Sequence, residues 1–116
     1  MELLWTFLKE TDIPADINTV LIPGEEAHAA YTTMRDVAVI TNKRLIVSDS
    51  QGITGRKKEI YSVPFKSIIM WSSENAGTLD LSAELELWTR SGHIKINLKR
   101  DVDVRKFDRL IAQYVL

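Results

Sequence analysis

Cysteine is absent from the 116 residues. Its absence excludes a disulfide framework and thiolate chemistry, and leaves only histidine and carboxylates to build a zinc site. Histidine is nearly absent too. His28 and His93 stand 65 residues apart with no third ligand at metal spacing, so no metal is expected. Glycine (5) and proline (3) are sparse, and no Gly-x-Ser-x-Gly elbow occurs. Gln51-Gly-Ile-Thr-Gly55 has two glycines but lacks the rest of a phosphate-loop pattern. No apolar run approaches the roughly 20 residues needed to cross a bilayer. The opening Met1-Glu-Leu-Leu-Trp-Thr-Phe-Leu-Lys-Glu10 has no basic lead-in and does not read as a secretory signal. These absences point to a cytoplasmic, non-catalytic chain without a cofactor.

What remains is the composition of one globular domain, with 45% apolar and 27% charged residues. The net charge of −1 argues against bulk attraction to nucleic acid. Its distribution is uneven: residues 1–40 carry −5, 41–70 carry +4, 71–92 carry −3 and 93–116 carry +3. Alternating blocks suit self-association through complementary patches, although a solvated surface explains any single block.

The first 24 residues differ from the rest. Leu3, Leu4, Phe7 and Leu8 recur at helical spacing, and Pro14 suits the start of a second short helix bearing Ile17, Val20 and Leu21. Pro23-Gly24 breaks it. Residues 1–24 therefore read as a helical segment that packs on a domain spanning 25–116, or is buried against another copy. From Ala27 the period becomes two. Val37, Val39 and Thr41 alternate with Ala38 and Ile40, and Asn42-Lys43 is a tight-turn candidate in which Asn tolerates positive φ. Lys57 to Val63 reads as a strand ended by Pro64, and Ile68-Ile-Met-Trp71 as one covered on both faces. Leu79, Leu81, Ala83, Leu85 and Leu87 face one way; after a turn at Ser91-Gly92, Ile94, Ile96 and Leu98 repeat the pattern. Glu84 and Glu86 can then lie across from Lys95, as solvent-facing acids rather than an acid–base pair. A helix over 102–115, capped by Asp101 or Asp103, carries the stripe Val104, Phe107, Leu110, Ile111, Tyr114 and Val115. With about seven short strands before it, that stripe should plug the open end of a bent sheet.

The best binding candidate is the basic cluster Arg56-Lys57-Lys58, with Lys43, Arg44 and Lys66 nearby in sequence. It reads either as a surface for an anionic partner or lipid headgroups, or as a solvated strand edge whose lysines discourage aggregation. Arg35 and Asp36 are surface contacts or an ion pair fixing a hairpin.

Arg35-Asp36, Thr41-Asn-Lys-Arg-Leu45, Asp49-x-Gln-Gly-Ile-Thr-Gly55 followed by lysines, Ser62-Val-Pro64 and Leu85-x-Leu-Trp88 precede the closing helix in order. Together they resemble the bacterial pleckstrin-homology-like (PH-like) domains over roughly residues 20–116. The resemblance implies a mainly β PH-like fold: two nearly orthogonal antiparallel sheets, seven strands in all, capped by the C-terminal helix. It also implies cyclic homo-oligomers, five-fold for single-domain members, presenting a hydrophilic surface to a protein partner. The phosphoinositide-gripping loop of eukaryotic PH domains corresponds here to Thr33-Met-Arg-Asp36, which is short and holds one base, so lipid binding is the weaker expectation.

Overall fold

Alternation in the sequence becomes alternation of burial. In the computed structural model, which describes residues 2–51, 57–76 and 82–116, β7 (Ser82–Thr89) buries Ala83, Leu85 and Leu87, and β8 (Gly92–Asp101) buries Ile94, Ile96 and Leu98. The two pair antiparallel around the Arg90-Ser91 turn, where Thr89 Oγ1 accepts from the backbone N–H of Ser91 and Gly92. Leu79 and Leu81, expected on the same face, lie outside the described residues.

Among the described residues the other strands are β1 (Glu2–Thr11), β2 (Ala27–Thr33), β3 (Asp36–Thr41), β4 (Arg44–Gln51), β5 (Lys57–Pro64) and β6 (Ile68–Glu74), and the one α-helix is α1 (Val104–Val115). They form a single curled sheet in the order β5-β4-β3-β2-β1-β8-β7-β6. Among the described residues, eight strands in one hydrogen-bonded sheet replace the expected seven in two.

β1 is the reason, and it corrects the expected first helix. It runs antiparallel to β2 on one side and parallel to β8 on the other, joining the two halves. Leu3, Trp5 and Phe7 point inward at period two, a pattern that the same run of apolar residues hides inside a helical spacing. Both ladders slip between Phe7 and Lys9: against β2 the extra residue lies on β1, and against β8 it lies on β8, between Leu98 and Asp101. Such a bulge adds the bend that lets one sheet wrap around a core. The expected second helix is a short 3-10 helix, Ala15–Thr19, begun by Pro14.

The sheet encloses the main core. α1 closes one end, its N-terminus capped by Asp103, whose side chain accepts from the N–H of Arg105 and Lys106. Phe107 packs against both Phe7 and Tyr31, with ring centroids 5.8 and 5.3 Å away, and those two rings stack on each other at 5.7 Å. Burial there pushes the Tyr31 phenol up from its ordinary range. The helix is also tied to β6 through Asp108, which accepts from Trp71 Nε1 at 3.0 Å and from the Ser73 hydroxyl.

A second, smaller core lies on the outside of the sheet. Ala30, Val39 and Ile46 pack under Ile17, Val20 and Leu21, so the segment after β1 folds back over β2–β4. β6 departs from expectation. It is an edge strand, and Ile69 and Met70 are exposed rather than covered.

Candidate functional site

The basic residues singled out in the sequence sit at opposite ends of the β4–β5 hairpin. Arg44 pairs with Pro64 at one end and Gln51 with Lys57 at the other. Seven residue steps at about 3.4 Å separate them by roughly 24 Å. Lys43, Arg44 and Lys66 thus belong to one corner, and Arg35, Asp36, Lys57 and Lys58 to the other. Arg56 lies outside the described residues.

At the first corner Arg44 points away from solvent. Its Nε donates to Glu25 Oε2 at 2.8 Å and its Nη2 to Glu25 Oε1 and the Val20 carbonyl. The Glu25 side chain has no exposed surface. Burial alone raises that carboxyl, but hydrogen bonds from Arg44, the Thr41 hydroxyl and the Ile22 N–H outweigh it and lower the pKa to about 2. The result is a charged staple that fastens the 20–25 loop to the β3–β4 turn. Asn42 completes it: Oδ1 accepts from Glu26 N–H at 2.8 Å and Nδ2 donates to the Gly24 carbonyl. Asn42 has no positive φ, so this clasp, rather than left-handed backbone, accounts for asparagine there. Positive φ falls instead on Gly24, at +84°. Lys43 and Lys66 are exposed beside this corner.

At the second corner Arg35 and Asp36 do not pair with each other. Arg35 Nε lies 2.8 Å from Asp49 Oδ1 and donates to the Ser50 carbonyl. Asp36 Oδ2 accepts from the Ser48 hydroxyl at 2.7 Å and faces Lys58 Nζ at 3.3 Å. Thr33 Oγ1 accepts from the N–H of both, which shapes the short turn. Two of the expected binding cations are therefore matched by carboxylates. Lys57 is exposed and makes no ion pair among the described residues.

Beside this corner the curled sheet opens into a cavity of about 320 Å³, at the free starting end of β1. Its floor is aromatic: Trp5 meets Tyr61 edge-on at 5.5 Å. A hydrogen bond to Glu59 pushes the Tyr61 phenol up. Leu4 and Met34 flank the opening and are 63% and 72% exposed. The helical spacing of Leu3, Leu4, Phe7 and Leu8 hides this mouth, because it takes the strand that carries Trp5 for a helix. The signal was there, in the period-two set Leu3, Trp5, Phe7. On the outer face of β7–β8, Glu86 sits opposite Lys95 as expected, Lys95 Nζ reaches Glu84 at 3.1 Å, and His93 lies 3.2 Å from Glu86.

The family model for "Bacterial PH domain" matches residues 3–115, from the second residue of β1 to the end of α1. The chain belongs to this family. The bacterial PH domain is 36% identical over 108 residues to the uncharacterised protein YjqA of Bacillus subtilis (strain 168), covering 90% of this chain and 86% of that one. It is similar to the crystal structure of a DUF1696 family protein with a pleckstrin-homology domain from Shewanella loihica PV-4: TM-score 0.83, 36% identity, 93% of this chain and 98% of that one. A pleckstrin homology domain from Shewanella amazonensis SB2B gives TM-score 0.71 and 41% identity, covering 88% of this PH domain and 84% of that chain. The family match begins at residue 3, so it takes in β1. Among the described residues no helix is long and apolar enough to cross a membrane.

Proposed function

We propose that this bacterial PH domain is a non-catalytic, cytoplasmic interaction module that works as a cyclic homo-oligomer and presents a polar surface to a protein partner. The observation that carries the reading is the pair of edges that the curled sheet leaves unpaired among the described residues, β5 and β6. Unpaired strand edges are ready templates for further pairing. These two differ in chemistry. β5 begins with Lys57 and Lys58, while β6 exposes Ile69 and Met70 and ends at Glu74. An antiparallel contact between β5 of one copy and β6 of the next lays the basic start of one strand beside the acidic end of the other. A contact between two different faces repeats head to tail, and closes into a ring when the rotation allows.

Native mass spectrometry at micromolar concentration is expected to find one closed assembly, five-fold by family resemblance. A monomer alone would remove the ring. Pull-down with the intact assembly then identifies the partner. Anionic lipid is the alternative occupant of the basic residues. The pairing of Arg44 and Lys58 with carboxylates, and the separation of the two corners, weigh against it. Liposome co-sedimentation at low salt, where polybasic attraction is strongest, is expected to be negative.

A further inference from the structure

The mouth is bounded by the edge of a strand rather than by a face. Four consecutive residues of β1, Leu3 to Thr6, line it. Successive side chains on a strand point to opposite faces, so four in a row line a cavity only where the backbone edge forms its wall. The pairing register explains why that edge is bare. Glu2 to Thr6 pair with His93 to Asn97 of β8 on one side. On the other, β2 joins β1 only from Phe7, opposite Thr33, because the chain turns at 33–36 into β3. Among the described residues the lane that β2 would occupy beside Glu2–Thr6 is vacant.

We propose that this vacant lane receives an extended segment of a partner protein, which adds as a short antiparallel strand to β1. Alternate N–H and C=O groups of the bare edge point into the lane and require main-chain partners, which an extended peptide supplies. The lane is five residues long, about 17 Å. Along one side of the incoming strand, Leu3 and Trp5 offer an apolar surface backed by Tyr61, which suits apolar side chains at alternate positions. The charges at its two ends fix direction. Arg35 stands where β2 stops, 58% exposed, its Nε engaged by Asp49 and Ser50 and its Nη groups making no hydrogen bond among the described residues. Glu2 stands at the other end, 84% exposed. An antiparallel strand enters beside Arg35 and leaves beside Glu2, so its N-terminal end should carry an acid and its C-terminal end a base. This site is separate from the β5 and β6 edges, and the oligomeric state measured alongside keeps the two proposals distinguishable.

The test uses the full chain and capped pentapeptides Asp-apolar-Thr-apolar-Lys, the apolar positions drawn from Val, Ile, Leu, Phe and Tyr. Titration into isotope-labelled protein is expected to shift amide resonances of residues 2–6 and 33–35 and to slow exchange of alternate β1 amides. Reversing the best peptide's charges, Lys first and Asp last, should weaken it roughly ten-fold. N-methylation of one alternate set of peptide amides should abolish binding while the other set leaves it intact, because only one set faces β1. Arg35→Gln should erase the preference for the leading acid without changing the fold. The proposal is overturned if no peptide shifts these resonances by about 1 mM. Shifts confined to β5 or β6, or equal tolerance of both N-methylated sets, overturn it as well.

Discussion

Glu25 is the residue on which most of the N-terminal arrangement converges. It holds Arg44, Thr41 and the Ile22 N–H at once, in a place without solvent to replace any of them. Removing one member of such a pair strands the other, at a cost of about 3–5 kcal/mol when both are buried. Arg44 keeps 20% of its side chain exposed, so the lower end applies. Glu25→Ala is therefore expected to lose about 3 kcal/mol in urea unfolding, with the 20–26 loop exchanging faster. The same staple sets an acid limit. The carboxyl pKa falls from 4.5 in the unfolded chain to about 2 in the fold. Its contribution is thus complete above pH 4.5 and is lost as pH falls toward 2. Stability measured from pH 5 to 2 should drop more steeply for the parent than for Glu25→Gln. A parallel decline would remove the staple as the cause. Neighbouring Asn42 contributes two partly exposed hydrogen bonds, and Asn42→Ala should cost about 1–2 kcal/mol in the same assay.

Elements differ in how far their own sequence decides them. β7 from Ala83 onward, β8 and the body of α1 were legible because each carries one clean period and packs with that one face. β1 was not. Leu3, Leu4, Phe7 and Leu8 fit a helix, while Leu3, Trp5 and Phe7 fit a strand, and local pattern cannot choose between them. Pairing on both sides, with residues 19 or more and more than 90 positions away, makes the choice. β6 was misread for a related reason. A continuous apolar run marks a doubly covered strand only if neighbours exist on both faces, and β6 lies at the edge. The functional corners were half legible. The charged residues were visible, but their carboxylate partners Asp49 and Glu25 come from other elements, and sequence spacing does not announce them. Phe107 is where element meets element: it joins α1 to β1 and β2 through the aromatic trio. Phe107→Ala should cost about 3–5 kcal/mol by calorimetry or urea unfolding, and detach the helix before the sheet.

At the scale of the whole molecule, a sheet with two edges unpaired among the described residues has to be kept from indiscriminate pairing. Natural edges are blunted by charge, proline, bulges or short length. β5 meets this with Lys57, Lys58 and a terminal Pro64. β6 does not: Ile69 and Met70 are 65% and 53% exposed on an edge strand of seven residues. A monomer gains nothing from this, because exposed apolar side chains on a strand edge invite indiscriminate pairing. A closed ring turns the same surface into a buried joint that is used up when the ring is complete. Ile69→Lys with Met70→Lys separates these cases. Both side chains point to solvent in the single chain, so its unfolding free energy should change by no more than about 0.5 kcal/mol per site. The proposed ring should lose its joint. Light scattering is expected to report a particle near the 13.2 kDa of one chain where the parent reports a multiple of it. If the mass stays high, β6 is not the joint, and the apolar edge needs another occupant. If the mass falls while the peptide titration at the β1 lane is unchanged, assembly and recognition are carried by different edges of the same sheet.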